Sequence, residues 1–281
     1  MARFLCETLP WTKFGTVVVS LPVIGLAFCV IYSILYDFKE TTITHGCSAY
    51  NFLPSISAAS GEKEPQISVW WWSIVLHTPG RYFISLCYLN YYSTIASSGW
   101  KGNYEPLAIA CVMVNLVEVT ALLMLTLYSS RDYFEIHSTA FGIFLAFSII
   151  YMLSVIAIQK TLYEDTRLSK LSSSIRYKKL LFAAYCCLVT SAMYLYYRHS
   201  AYCEAIVYSM FAFSEYLIVL TNIAFHSTFM LDFTSAQQPC PSLKRQLYLP
   251  FHQDVYSTRM SYVKVASGYK LYPFASPISH I

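Results

Sequence analysis

The sequence predicts an all-α polytopic membrane protein with six transmembrane helices and both termini in the cytoplasm. Three observations carry that expectation. Of the 281 residues 56% are hydrophobic and only 12% are charged, about half the charged share usual in a soluble domain. Six apolar runs recur along the chain, each near the ~20 residues that one helical crossing needs. The Lys and Arg residues gather in alternate connecting segments, as the positive-inside tendency requires.

Taken in order, residues 1–14 form a short cytoplasmic N-terminus carrying Arg3 and Lys13. The first run, Gly15–Tyr36, is too long for a cleavable leader and no small-residue cleavage site follows it, so it is expected to stay as an anchor. The second, Ser68–Ala96, is long and contains Pro79-Gly80, which predicts a kink or a tilted span. Tyr104–Leu127, Ile136–Gln159, Lys179–Tyr197 and Glu204–Phe229 complete the set. In hydrocarbon the backbone must satisfy its own hydrogen bonds, so each run is expected to be a helix.

The segment Lys160–Lys178 holds Lys160, Arg167, Lys170, Arg176 and Lys178, and the tail 232–281 adds Lys244, Arg245, Arg259, Lys264 and Lys270. Both belong in the cytoplasm on this reading. The membrane domain is then 15–231, and the tail, basic and Tyr-rich, is expected to be flexible or to lie on the membrane surface. Asp37–Ile67, Tyr128–Glu135 and Arg198–Cys203 face the lumen or exterior. Of these only 37–67 is long. Its Leu53–Ser57 segment and Gly61 predict an ordered, turn-rich cap.

Of the nine cysteines, only Cys47 and Cys203 fall in lumenal loops, where disulfides persist. A Cys47–Cys203 bridge tying the first lumenal loop over the last is expected, with two free thiols as the alternative. No metal-ligand spacing occurs, and no metal is expected. P-loops, dinucleotide turns and the nucleophile elbow are absent, so no cofactor is expected, and nothing points to nucleic acid. Trp70-Trp71-Trp72 and Tyr91-Tyr92 sit at run ends, where an interfacial aromatic belt accounts for them.

The informative residues are ionisable groups inside the apolar runs, which cost several kcal/mol unless they face a partner or water. His77 and Arg81 are four apart and share a helix face, as do Asn115 and Glu118. Glu204, Glu215, Asn222 and His226, spaced 11, 7 and 4, fall on one helical stripe. At 1.5 Å per residue, Arg81, Glu118 and Glu215 lie roughly 15–20 Å from the lumenal ends of their helices. They are expected to converge. Two readings stay open: a buried ion pair that fixes helix packing, or a polar pocket for a lipid headgroup. At the lumenal end, His199 and Glu204 match the arrangement of a general base oriented by a carboxylate; a His next to an Arg at a membrane interface, as His199 is to Arg198, is more often a headgroup anchor.

Several segments together resemble a known family: FKETTITH (38–45), the Leu53–Ser57 stretch with Gly61 and Pro65, HTPGR (77–81), NLVE (115–118), YSS (128–130), YYRHSAYCEAIVY (196–208) and SEYLIVLTNIAFH (214–226). The chain is similar over about residues 10–233 to the post-GPI-attachment-to-proteins factors, within the broader Frag/DRAM/Sfk-type membrane family. The resemblance implies a multi-pass Golgi or ER membrane protein that remodels GPI-anchor fatty acids. Lyso-GPI, free or on a GPI-anchored protein, is reacylated there at sn-2 with a saturated chain; the acyl donor is unknown.

GPI anchors occupy the lumenal leaflet, the side on which the polar groups cluster. The leading expectation is therefore an acyltransferase with His199 as base and Glu204 as its orienter. His77, Arg81, Glu118, Glu215 and Asn222 would line the headgroup pocket, and Arg81 or Arg198 would hold the inositol phosphate. On that scheme His199→Ala abolishes remodelling at unchanged protein level. The rivals are a non-catalytic subunit presenting lipid to a separate acyltransferase, and a DRAM-like membrane modulator or transporter.

Overall fold

The computed structural model describes residues 10–43, 47, 49–61, 63–96, 104–166 and 169–234. Expectations about the tail beyond Thr234, Cys6, Cys240, His45 and Arg167 fall outside them. The described residues form nine helices: α1 (Trp11–Tyr36), α2 (Phe38–Thr42), α3 (Ile56–Gly61), α4 (Gln66–Ala96), α5 (Tyr104–Leu127), α6 (Phe134–Thr166), α7 (Ser169–Tyr202), α8 (Val207–Ser227) and α9 (Phe229–Thr234). The protein is an all-α polytopic membrane protein. Among the described residues five of the long helices are also apolar enough to cross a bilayer: α1, α5, α6, α7 and α8.

Helix α4 is the more polar sixth. Its 31 residues give a length of roughly 46 Å. Gln66 at its start donates to Asp37 at the end of α1, and Tyr88 further along donates to Asp232 of α9. It therefore runs the depth of the bundle, and its helix is continuous through Pro79. Successive long helices pack side by side, α1 on α4, then α5, α6, α7 and α8, with α8 returning against α1.

The contact between α1 and α4 depends on small residues. A Cβ on Gly80 would lie 2.6 Å from Val18 Cγ2, and one on Gly25 would lie 2.5 Å from Ser73 Oγ. With lipid as solvent there is no hydrophobic drive between helices, so close backbone approach of this kind is what holds them. Pro22 adds a polar device: lacking an N–H, it leaves the carbonyl four residues earlier, that of Val18, without its helical partner. The His77 Nδ1–H donates to that oxygen at 2.6 Å.

Three expectations about boundaries are corrected. Helices α6 and α7 extend through most of the proposed loop 160–178, because nothing in hydrocarbon limits a helix that continues into water. Lys178, counted among the loop cations, is buried in α7. Helix α7 also absorbs most of the loop 198–203, leaving a four-residue turn, Cys203–Ile206, before α8. Ile206 sits there at φ 71°, a left-handed conformation that β-branched side chains avoid, with its N–H on the Tyr50 carbonyl at 2.8 Å. Finally, the boundary at 231/232 cuts α9, whose Asp232 is 3% exposed.

The end of the core that holds α9 explains that last point. Tyr88, Tyr91 and Trp11 pack on Phe233 with ring centroids 4.9, 5.8 and 5.1 Å away. Beneath them Asp232 accepts from Ser174 at 2.6 Å, Tyr88 at 2.6 Å and Gln159 at 2.9 Å, and pairs with Lys178 at 2.7 Å. Both buried charges are matched, as burial requires.

Candidate functional site

Two polar assemblies are candidates, one in the middle of the bundle and one at the end assigned to the lumen. The central one gathers around Glu118 of α5, which is fully buried. Its Oε1 accepts from Asn222 at 2.8 Å and Ser148 at 2.9 Å, and lies 3.0 Å from His226 Nε2. Arg81 of α4 pairs with Oε2 at 3.6 Å, donates to Asn115 Oδ1 at 3.3 Å, and meets His226 Nε2 at 2.8 Å. Asn115 in turn donates to Ser85 at 2.7 Å. The His226 ring is stacked on Tyr151, centroids 5.0 Å apart and planes 9° apart.

Geometry constrains protons here. A guanidinium can only donate and a carboxylate can only accept. His226 Nε2 lies between the two, so it serves one of them at a time: its lone pair takes Arg81, or its proton goes to Glu118. Either way Arg81 and Glu118 cancel each other's charge.

Sequence reasoning placed Arg81, Glu118, Asn115, Asn222 and His77 on faces that could meet, and the structure brings the first four together. His77 adjoins them across a cleft of about 310 Å³ lined also by Val18, Val19, Ile84, Ile223, His226 and Phe229. Part of that space is open, and the enclosed part holds little more than one water. The hydrogen-bonded residues form a charge-neutral junction of α4, α5, α6 and α8, with that cleft beside it. His226 and Ser148 were left out of the expected set, although polar residues within apolar runs were the available signal.

Glu215 is also corrected. It points away from Arg81 and accepts the backbone N–H of Ile56 at 3.1 Å. It is one of several ties that seat the cap formed by residues 49–61 on α8. Ser209 Oγ accepts from the N–H groups of Phe52 and Leu53 at 2.8 and 3.2 Å, and the Tyr216 hydroxyl donates to the Pro54 carbonyl. On α1, Ser33 donates to the Ala59 carbonyl at 3.2 Å. A Cys47–Cys203 disulfide, Cα atoms 5.6 Å apart, closes the cap over the α7–α8 turn. At its far end Lys63 bridges Asp37 and Glu40. The Gln66 amide and then Lys63 hold the Asp37 carboxyl below the usual carboxylate range.

The expected His199–Glu204 pair does not form. Glu204 lies in the turn rather than on the α8 stripe, and its carboxylate pairs with Arg198. That guanidinium also lies over the Tyr194 and Tyr202 rings, 5.9 and 5.4 Å from their centroids, and donates to the Tyr194 hydroxyl at 3.0 Å. A permanent cation out-competes a neutral imidazole for a nearby carboxylate. His199 is buried instead, its ring 4.9 Å from that of Tyr208. Arg198 keeps 36% side-chain exposure.

A fourth histidine, His137 at the start of α6, carries no signal in the sequence. Its Nε2 lies 2.8 Å from Ser57 Oγ in α3, and its Nδ1 lies 2.8 Å from the Tyr128 carbonyl. A solitary His eighty residues from a solitary Ser leaves no motif to find.

The Frag1/DRAM/Sfk1/Cwh43P N-terminal domain family matches residues 10–236. The chain is 39% identical over 241 residues to a Drosophila melanogaster protein named post-GPI attachment to proteins factor 2, covering 86% of this chain and 92% of that one. It is 37% identical over 226 residues to a Xenopus tropicalis protein named acyltransferase PGAP2, covering 80% and 88%. A Caenorhabditis elegans protein, again named post-GPI attachment to proteins factor 2, is 35% identical over 80% and 86%. No solved structure matches the chain.

Proposed function

The chain belongs to the Frag1/DRAM/Sfk1/Cwh43P family, and from that premise we propose that it remodels GPI anchors, reacylating lyso-GPI at sn-2 with a saturated chain. The relatives' names supply the substrate class: post-GPI attachment for some, acyltransferase for others. One structural observation supports this reading above the others. The charges in the middle of the bundle cancel each other, while a partly exposed guanidinium, Arg198, and the partly exposed His137 lie at the end that carries the cap. On the orientation read from the loop charges, that end faces the leaflet where GPI lipids reside. This weighs against a translocation path built on Arg81 and Glu118.

On this reading Arg198 takes the inositol phosphodiester, exchanging Glu204 for a second anion in bidentate fashion. His199, next to it in the chain, is buried behind it against Tyr208. The lipid stays in the bilayer throughout, and the protein resides in the Golgi membrane, with the ER as the alternative checked by co-localisation.

The test is reconstitution. Purified protein in nanodiscs, supplied with lyso-GPI and a saturated diacyl phospholipid, is expected to yield diacyl-GPI detectable by mass spectrometry. If product forms only after a separate acyltransferase is added, the protein is an accessory subunit and the catalytic reading fails.

A further inference from the structure

We infer that Ser57 and His137 form a nucleophile–base dyad that carries the acyl group as a Ser57 ester, with a lumenal phospholipid as donor. The inference rests on the acyl-transfer reading above and adds to it the covalent step and the class of donor.

The hydrogen bonds fix the proton positions. The Tyr128 carbonyl can only accept, so the His137 Nδ1 carries a proton and donates it at 2.8 Å. In the neutral ring Nε2 then bears the lone pair, and it faces Ser57 Oγ at 2.8 Å. The hydroxyl therefore donates to the ring. A nucleophile within reach of a base, with the base oriented by a third group, is the general signature of activated serine chemistry. Here a backbone carbonyl does the orienting.

The surroundings fit this use. Neither Ser57 nor His137 is fully buried, so a substrate reaches both. The Ser57 hydroxyl is not what holds α3 in place: Glu215 anchors the Ile56 N–H, Ser55 Oγ caps the Ala58 N–H at 3.1 Å, and Ser33 holds the Ala59 carbonyl. Ser57 is thereby positioned by its neighbours, as a reactive group has to be. Beside His137, Tyr133, Phe134 and Ile136 are 53%, 59% and 46% exposed. Large apolar side chains at a helix end mark the membrane interface, the depth at which the ester carbonyls of a phospholipid lie.

The chemistry balances without a cofactor. Ser57 Oγ attacks the acyl carbonyl of the donor, its proton passing to His137 Nε2. The Oγ–acyl bond forms, the bond between the acyl carbon and the glycerol oxygen breaks, and His137 returns the proton to the departing glycerol oxygen, releasing a lysophospholipid. In the second half the lyso-GPI hydroxyl attacks acyl-Ser57 while giving its proton to His137. The imidazolium then protonates Ser57 Oγ as it leaves. A donor already in the lumenal leaflet removes the need for cytoplasmic acyl-CoA.

The experiment uses the full-length protein in nanodiscs containing a phospholipid with an isotope-labelled saturated acyl chain. Peptide mass spectrometry is expected to find the label on Ser57 as a hydroxylamine-sensitive ester that disappears when lyso-GPI is added. Ser57→Ala and His137→Ala are expected to slow transfer by about 100-fold or more, while Ser57→Cys retains the labelled adduct as a thioester. Thiol alkylation of Cys47 and Cys203 reports in each variant that the cap is still closed. Transfer by Ser57→Ala at the wild-type rate overturns the dyad and leaves the acyl-transfer reading standing. Labelled Ser57 whose acyl group never passes to lyso-GPI does the reverse.

Discussion

His77 occupies the hydrogen-bonding position that Val18 loses to Pro22, its Nδ1 donating to the Val18 carbonyl at 2.6 Å. The proline and the histidine are thus one device spread over two helices. Removing only the histidine leaves a buried carbonyl unsatisfied, at a cost of about 1–3 kcal/mol. His77→Ala is expected to lower the melting temperature of detergent-solubilised protein. Adding Pro22→Ala, which supplies the missing N–H within α1, is expected to recover much of the loss. Purely additive effects in that double-mutant cycle would contradict the pairing.

Glu118 is shared by α5, α4, α6 and α8 through Arg81, Ser148, Asn222 and His226. Breaking a buried pair from one side costs roughly 3–5 kcal/mol, whereas removing both charges together is close to neutral. Arg81→Met is therefore expected to reduce folded yield sharply, and Arg81→Met with Glu118→Met to restore it. Size-exclusion profiles of the two variants decide the matter. If the double variant recovers folding but not turnover, the junction serves function as well as packing.

Glu215 holds the cap through a backbone N–H, a role an amide oxygen can fill. Glu215→Gln is expected to keep activity near wild type, while Glu215→Ala loosens α3 and speeds proteolysis of residues 49–61. Equal loss in both variants would point to a role for the charge itself.

His199 and Glu204 act separately, because the carboxylate belongs to Arg198. The combined loss of turnover in His199→Ala with Glu204→Gln is expected to equal the product of the single losses. Glu204→Gln alone is expected to lower KM for lyso-GPI, since it releases the guanidinium for phosphate. A shared catalytic dyad would instead show no further loss on adding the second change.

The Cys47–Cys203 bridge spans 156 residues of chain. Removing it with Cys203→Ser is expected to cost about 2–4 kcal/mol, read as a drop in melting temperature that reductant reproduces in wild type. Alkylation without reductant is expected to label neither cysteine in the native protein.

Much of the fold is legible from local information. Hydropathy marks the apolar runs because each helix must be apolar along its own length, and α5 begins and ends where its run does, at Tyr104 and Leu127. Where an apolar run ends says less about where its helix ends, so α6 and α7 run on into what reads as loop. Lys178 shows the limit: a lysine at a helix entrance looks like a loop cation until Asp232, 54 residues on, is found beside it.

The candidate site divides the same way. Depth along a helix follows from counting residues, and it placed Arg81 and Glu118 at one level. Azimuth does not follow from counting, and Glu215, at a similar level, turns to the cap instead.

By itself the sequence determined the class of protein, the apolar helices and the family resemblance, since these depend on composition, periodicity and short motifs. Only the tertiary structure decided which polar groups meet: Glu204 with Arg198 and not His199, Asp232 with Lys178, Ser57 with His137. Partnerships in a helix bundle are set by how each helix is rotated and by what the loops lay across its ends. Those depend on the packing of the whole chain, and no stretch of it encodes them alone.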